Sequence, residues 1–257
     1  MTIELKQNGE LFAADLSKPL DISIPLSPGG PRAWYMDPMR IEPVMTERFN
    51  GSVEDGGDVN FRNIWFNPHG HGTHTETVGH IDREIVSINK TLQSYFFLCR
   101  LITIAPEIHQ GADKSYIKKG DRVITANQIE EKVKPGAPEA LVVRTLPNTS
   151  EKCHRNYSNT NSTFFEPEAL SYIRRCGVKH FLTDLPSVDR EEDGGQLLAH
   201  RAFWCGDRPD DRECTISEMI YAPDKIADGL YLLNLQIAAF ENDASPSKPV
   251  LYSLTKT

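Results

Sequence analysis

Two short, nearly uninterrupted apolar runs, FFLCRLITI at Phe96–Ile104 and ALVVRT at Ala140–Thr145, most restrict the folds open to this chain. Both lie near turn-forming residues and read as buried strands. Residues 20–26 alternate apolar and polar side chains before breaking at Ser27-Pro28-Gly29-Gly30-Pro31, as a strand entering a loop does, and Pro25 suits an edge. Bulky residues predict a half-buried strand over 63–67, and further strands are expected at 178–183 and 230–236. The tail after Ala244 reads as extended and carries prolines. Helical patterns are few. One covers residues 127–133 and ends at Pro135-Gly136; the other, 166–176, opens with acidic residues and a proline, closes with two arginines and is followed by Gly177. Many strands with few helices point to one α/β or α+β domain over residues 1–257.

A chain of 257 residues with 39% hydrophobic content can bury a substantial core. Its net charge of -8 argues against nucleic acid or an anionic membrane surface as a partner, because both require a concentrated basic patch. No run of eighteen apolar residues occurs, and the N-terminus lacks a signal-peptide pattern, so a cytoplasmic location is the expectation. The five cysteines are odd in number and contain no C-x-x-C pair, which speaks against a disulfide framework or a cysteine-based zinc site.

Function is signalled by the histidines. Four of the eight fall in the stretch His69-Gly70-His71-Gly72-Thr73-His74-Thr75-Glu76-Thr77-Val78-Gly79-His80. Imidazole nitrogen and carboxylate oxygen are the donors that zinc and other first-row divalent metals accept. In an extended backbone His74 and Glu76, two residues apart, leave the same face. His80 follows after Gly79 has allowed a turn, where a free imidazole could act as acid or base. Solvated or hydrogen-bonded loop histidines are the alternative reading.

The run 72–80 resembles the signature H-x-G-T-H-x-D-x-P-x-H of the metal-dependent cyclase family, which includes kynurenine formamidase and isatin hydrolase. Ordered matches extend from about Asp15 to Leu254. Asp21-Ile22-Ser23-Ile24-Pro25 resembles the family's opening strand, Val142-Val143-Arg144-Thr145 its arginine-bearing strand, and Asp184-Leu185-Pro186-Ser187-Val188-Asp189 its D-x-x-S-x-D loop. Leu198-Ala199-His200 and Thr215-Ile216-Ser217-Glu218-Met219-Ile220 resemble the segments bearing its later metal ligands. The resemblance implies an α/β single domain with a mixed, barrel-like β-sheet core and flanking helices, assembled as a homodimer or larger homo-oligomer. It further implies metal ligation by His74, Glu76, His200 and Glu218, proton transfer by His80, and one or two divalent ions, with zinc the first expectation and manganese the second.

Three departures stand out. The signature's first histidine falls on Gly70, aspartate is replaced by Glu76, and proline by Val78. His69 and His71 flank the gap. An ideal strand would turn both away from His74, but a one-residue bulge around Gly70 would return His69 to the metal and leave His71 outside. The polar stretch 205–212 looks like an insertion; if it overhangs the site, Trp204 and Arg208 would contact substrate. Trp65 and Phe66 read as core, His109, His154 and His180 as surface or satisfied core residues, and Arg144 as a holder of a buried carboxylate such as Asp184. Ser187 is a weak nucleophile candidate, having no histidine tied to it. The expected activity is hydrolysis of a small amide, formamide or lactam, similar to an arylformamidase. The same metal acting in a cyclase or dehydratase, or a binding protein without catalysis, are the other readings.

Overall fold

The computed structural model describes residues 1–7, 9–206 and 210–257. Its framework consists of β1 (Thr2–Gln7), β2 (Glu10–Asp15), β3 (His74–Glu76), β4 (Phe96–Ile104), β5 (Ala140–Thr145), β6 (His180–Thr183), β7 (Thr215–Glu218), β8 (Gly229–Ile237) and β9 (Ala244–Lys256). Helices α1 (Ala126–Lys132), α2 (Pro167–Arg175) and α3 (Leu198–Trp204) flank them. Strands β9, β8, β4, β5, β6, β7 and β3 pair in that order, and β3 pairs back onto β9, closing a mixed barrel. Inside it β4, β5, β6 and β7 run parallel, whereas β8, β9 and β3 pair antiparallel with their neighbours. The hairpin β1–β2 extends the sheet beyond β9.

Alternation along β5 explains why its sequence is apolar throughout. Leu141 and Val143 pack with Ile102 and Ile104 of β4, Phe181 of β6, and the buried faces of α1, α2 and α3. Ala140 and Val142 turn the other way, joining Cys99, Leu101, Leu182, Leu233 and Leu251 in the space enclosed by the strands. A strand covered on both sides carries no polar face, as parallel strands in α/β proteins generally do not. Helix α1 starts at a capping box, Thr125 with Gln128, and α2 has Pro167 in its first turn and Gly177 at φ +102° beyond its end.

Several expectations are corrected. The strand near the histidine cluster, Arg62–Trp65, is exposed along all four residues and pairs only with Arg40–Pro43. Trp65 is 41% exposed under the Arg40 guanidinium, 4.6 Å from its ring, rather than core. In the segment 20–26 only Leu20–Asp21 is paired, since Asp21 accepts the Ser23 N–H at 2.9 Å and turns the chain. The proline-bearing tail is the longest strand and closes the barrel. Arg144 does not hold Asp184; it donates to the carbonyls of Pro223 and Ile226 at 2.9 and 2.8 Å and pairs with Asp228. Asp184 is held by Lys152 Nζ at 2.7 Å and by the Thr145 hydroxyl at 2.8 Å; Arg144, one residue earlier on β5, leaves the opposite face of the strand. No helix among the described residues is long and apolar enough to cross a membrane.

His180, at the start of β6, is buried with Nδ1 2.9 Å from the Thr215 hydroxyl. Burial, with Lys179 and Arg174 nearby, pushes its pKa down to about 3. Above pH 6.5 this costs nothing; below it the unfolded chain takes up a proton that the folded chain refuses, so stability falls until about pH 3. Urea unfolding of the metal-free protein should therefore lose roughly 2 kcal/mol more between pH 6.5 and 4.5 than His180→Gln loses over the same range.

Candidate metal centre

The closing register of the barrel assembles the site. His74 lies opposite Glu218 of β7 and Pro246 of β9, and Glu76 lies opposite Ile216 and Ala244. The threonine preceding each of them holds this register: the Thr73 hydroxyl donates to the Met219 carbonyl at 2.6 Å, and Thr75 Oγ1 lies 2.7 Å from Ser217 Oγ. After β3, Val78–His80 forms a single 3-10 turn whose start is capped by the Thr77 hydroxyl, which accepts the Gly79 N–H at 3.1 Å. Gly79 is required there, because a Cβ would stand 2.5 Å from the Val86 backbone nitrogen.

Glu76, fully buried, is the hub. Its Oε1 is 3.1 Å from His200 Nε2; its Oε2 is 2.8 Å from His69 Nδ1, 4.0 Å from His74 Nε2 and 3.9 Å from His80 Nδ1. Glu218 faces the same space, with Oε2 3.5 Å from His74 Nε2 and Oε1 3.7 Å from His200 Nε2, and is steadied by the Val188 N–H at 3.0 Å. Three of the four inward-facing histidines are tied on the outer nitrogen. His74 Nδ1 lies 3.1 Å from the Gly72 carbonyl, His200 Nδ1 2.5 Å from Asp189, and His69 Nε2 2.8 Å from Asp243. Asp189 also accepts the N–H groups of Ala199 and His200 at the start of α3, so one carboxylate caps the helix and orients its histidine.

Two inward-facing atoms, His74 Nε2 and Glu76 Oε2, are buried without a hydrogen-bond partner among the described residues. The 2.8 Å approach of His69 Nδ1 to Glu76 Oε2 is thus close but not aligned as a hydrogen bond. Buried polar atoms are costly when left unpaired, and atoms aimed at a shared point rather than at one another are what a bound ion demands. Donor atoms lie within 4.8 Å of one another in three triplets: His69, His74 and Glu76; Glu76, His80 and His200; and His69, His80 and Asp243. The residues present fit a divalent ion in donor type and in direction.

Protonation offsets the charge of the ion-free cluster. Burial disfavours a charged His69 or His200, but the hydrogen bond to Asp243 and the negative charge of Glu76 push His69 up to about 10, and bonds to Asp189 and Glu76 raise His200 well above the ordinary range. Burial alone would raise Glu76; the positive fields of His80, His200 and His69 overcome it and hold the carboxyl well below its usual value.

A cavity of about 280 Å³ opens onto His69, His80, His200 and Glu218, with Trp34, Met36, Asn67, Ser187, Arg190 and Leu197 among its other walls. The six histidines and glutamates singled out from sequence, His69, His74, Glu76, His80, His200 and Glu218, all meet here. His69 arrives on a turn rather than a bulged strand: residues 68–70 form a turn in which Gly70 N–H donates to the Asn67 carbonyl at 3.2 Å, so strand alternation no longer applies. His71 stays outside, its Nε2 2.8 Å from the Asp37 carbonyl. Trp204 is not on the cavity wall: it is 2% exposed, donates Nε1 to the Cys214 carbonyl at 3.0 Å, and packs behind His200. Its place on the inner face of α3 turns the indole toward the core instead of the substrate space. Arg208 lies outside the described residues. Asp243 was missed, because an isolated aspartate 174 residues from His69 carries no pattern. The loop 184–189 stands out in the sequence, but the orienting role of Asp189 arises only from the packing of α3 against it.

Comparison with known proteins follows the same lines. Among solved structures, a predicted metal-dependent hydrolase from Bacillus stearothermophilus superimposes with a TM-score of 0.60 at 16% identity, over 91% of this chain and 98% of that one. A potential metal-dependent hydrolase with cyclase activity gives a TM-score of 0.63 at 16% identity over 91% and 97% of the two chains. An isatin hydrolase bound to the product analogue thioisatinate gives 0.58 at 15% identity over 93% of each. At such identities the likeness establishes a shared fold. The model of the Cyclase family, whose description reads "Putative cyclase", matches residues 15–190, more than half of the sequence, and the chain belongs to that family.

Proposed function

We propose that this protein is a metal-dependent hydrolase of a small amide, formamide or lactam. The observation that carries the reading is the convergence of His69, His74, His200, Glu76 and Glu218 on one buried space, with His74 Nε2 and Glu76 Oε2 left without hydrogen-bond partners. A divalent ion bound there, zinc first and manganese second, would supply a Lewis acid that polarises a carbonyl and activates water. The chain's own residues do the rest. His80, with 29% of its side chain exposed on the cavity wall, keeps Nδ1 toward Glu76 and Asp243 at 3.9 and 3.7 Å, which leaves Nε2 as the atom that exchanges a proton with the reacting groups. Trp34, Met36 and Leu197 present apolar surface that excludes water around a small flat substrate, and the 280 Å³ volume limits its size. Structural neighbours named as predicted or potential metal-dependent hydrolases, and one named as an isatin hydrolase, support the same reading.

The test is metal analysis of protein prepared in metal-replete medium, followed by assay with N-formyl arylamines and cyclic amides. Stoichiometric zinc or manganese, with turnover abolished by chelation and restored by the ion, is the expected result. No bound ion would sink the proposal; ion binding without turnover of any amide would favour a binding protein or a lyase-type use of the same centre.

A further inference from the structure

We infer that Asp243 is a positioning residue for His69, and that this pair takes over the ligand place that Gly70 leaves without a side chain. The inference rests on the metal-centre reading above.

The two nitrogens of His69 face opposite groups, Nε2 toward Asp243 Oδ2 at 2.8 Å and Nδ1 toward Glu76 Oε2 at 2.8 Å. His200 repeats this with Asp189 outside at 2.5 Å and Glu76 inside at 3.1 Å. His74 repeats it with the Gly72 carbonyl outside at 3.1 Å. An outer acceptor that fixes the N–H on one ring nitrogen leaves the other nitrogen with its lone pair aimed inward, which is the usual second support of a metal-binding histidine. Asp243 is to His69 what Asp189 is to His200.

The backbone places Asp243 there. Ala244 pairs with Glu76, the Asp243 carbonyl accepts the Thr77 N–H at 3.0 Å, and the Asn242 carbonyl accepts the Ile88 N–H at 2.8 Å. The carboxylate is therefore set by the strand pairing that closes the barrel, and a shift of that pairing by one residue would turn it away. The space at position 70 is meanwhile filled: a Cβ on Gly70 would stand 2.7 Å from Met36 Cγ and 3.6 Å from the Ala33 carbonyl oxygen. A ligand at 70 would displace Met36 from the cavity wall, so His69 and Asp243 act as a relocated unit rather than as an addition.

The experiment measures Zn²⁺ affinity by competition with a chromophoric chelator, and Co²⁺ visible absorption, on the full-length wild type, Asp243→Ala, Asp243→Asn, His69→Ala and the double variant His69→Ala/Asp243→Ala. Asp243→Ala is expected to keep the wild-type number of ions at saturation but to bind them about 10–100-fold more weakly. The Co²⁺ bands should shift, and Asp243→Asn, whose amide oxygen still accepts the His69 N–H, should lie between. In the His69→Ala background, removing Asp243 should change nothing further. Unchanged affinity and spectrum in Asp243→Ala would overturn the inference, as would additive weakening in the double variant or the loss of a whole ion equivalent, which would make Asp243 a ligand itself. Absence of any ion in the wild type would instead overturn the metal-centre reading. Thermal melting of the ion-free proteins separates a folding defect from lost orientation; if Asp243→Ala does not fold, Asp243→Asn carries the comparison.

Discussion

Replacing Glu76 with glutamine is expected to leave a folded protein that no longer holds stoichiometric metal and no longer turns over substrate. Glutamine keeps the volume of a side chain that is fully buried between β7 and β9, so the barrel can close around it. What it removes is the one anion that all four inward histidines face, at 2.8 to 4.0 Å. Loss of an outer-shell partner commonly costs about 10–100-fold in metal affinity, and loss of the central carboxylate should exceed that. Elemental analysis and chelator competition read the effect. The same cluster predicts proton release on binding. In the ion-free protein His69 is held up to about 10 and His200 well above the ordinary range, so both carry protons at pH 7. An ion that takes their lone pairs must expel those protons, so affinity rises with pH toward the upper end of this range. Calorimetry of the wild type in two buffers of different ionisation enthalpy should show that release. Equal heats in both buffers would contradict the picture.

His80→Gln is the second large effect, and it should separate chemistry from binding. The ring sits at the cavity wall beyond hydrogen-bond length of both Glu76 and Asp243, and stacks against His69 with centroids 4.2 Å apart. If it moves a proton, the variant keeps its metal and its KM while kcat falls about 10²–10⁴-fold, the usual share of a general acid or base. The geometry supplies the competing outcome, because Glu76, His80 and His200 form one of the compact donor triplets. Parallel loss of metal and activity would make His80 a ligand and remove it from proton transfer.

Much of this was legible in the chain because the chemistry is local. His74 and Glu76 share a strand face by alternation, Gly79 lets His80 turn back, and the run at β5 is apolar because both its faces are covered. Helix ends were readable from Pro135-Gly136, Pro167 and Gly177 for the same reason, since helix termination is a short-range matter; the capping box at Thr125 came only from the structure. Other features were not. Trp65 resembles a core residue in composition, yet its strand pairs on an outlying hairpin and stays exposed. The tail with Pro246 and Pro249 resembles an extended terminus, yet it supplies the strand on which the barrel closes.

By itself, then, the sequence determined the donor types, the strands at β4, β5, β6 and β8, helices α1 and α2, and the face shared by His74 and Glu76, since each depends on residues a few positions apart; α3 and β7 carried no such local pattern. Tertiary structure decided which distant groups complete the site. The pairing of β3 with both β7 and β9 brought Glu218 and Asp243 to the histidines, and the turn at 67–71 brought His69 in while sending His71 to the Asp37 carbonyl. Register between strands far apart in sequence is set by the closure of the whole barrel, and no local pattern around Asp243 or Gly70 encodes it.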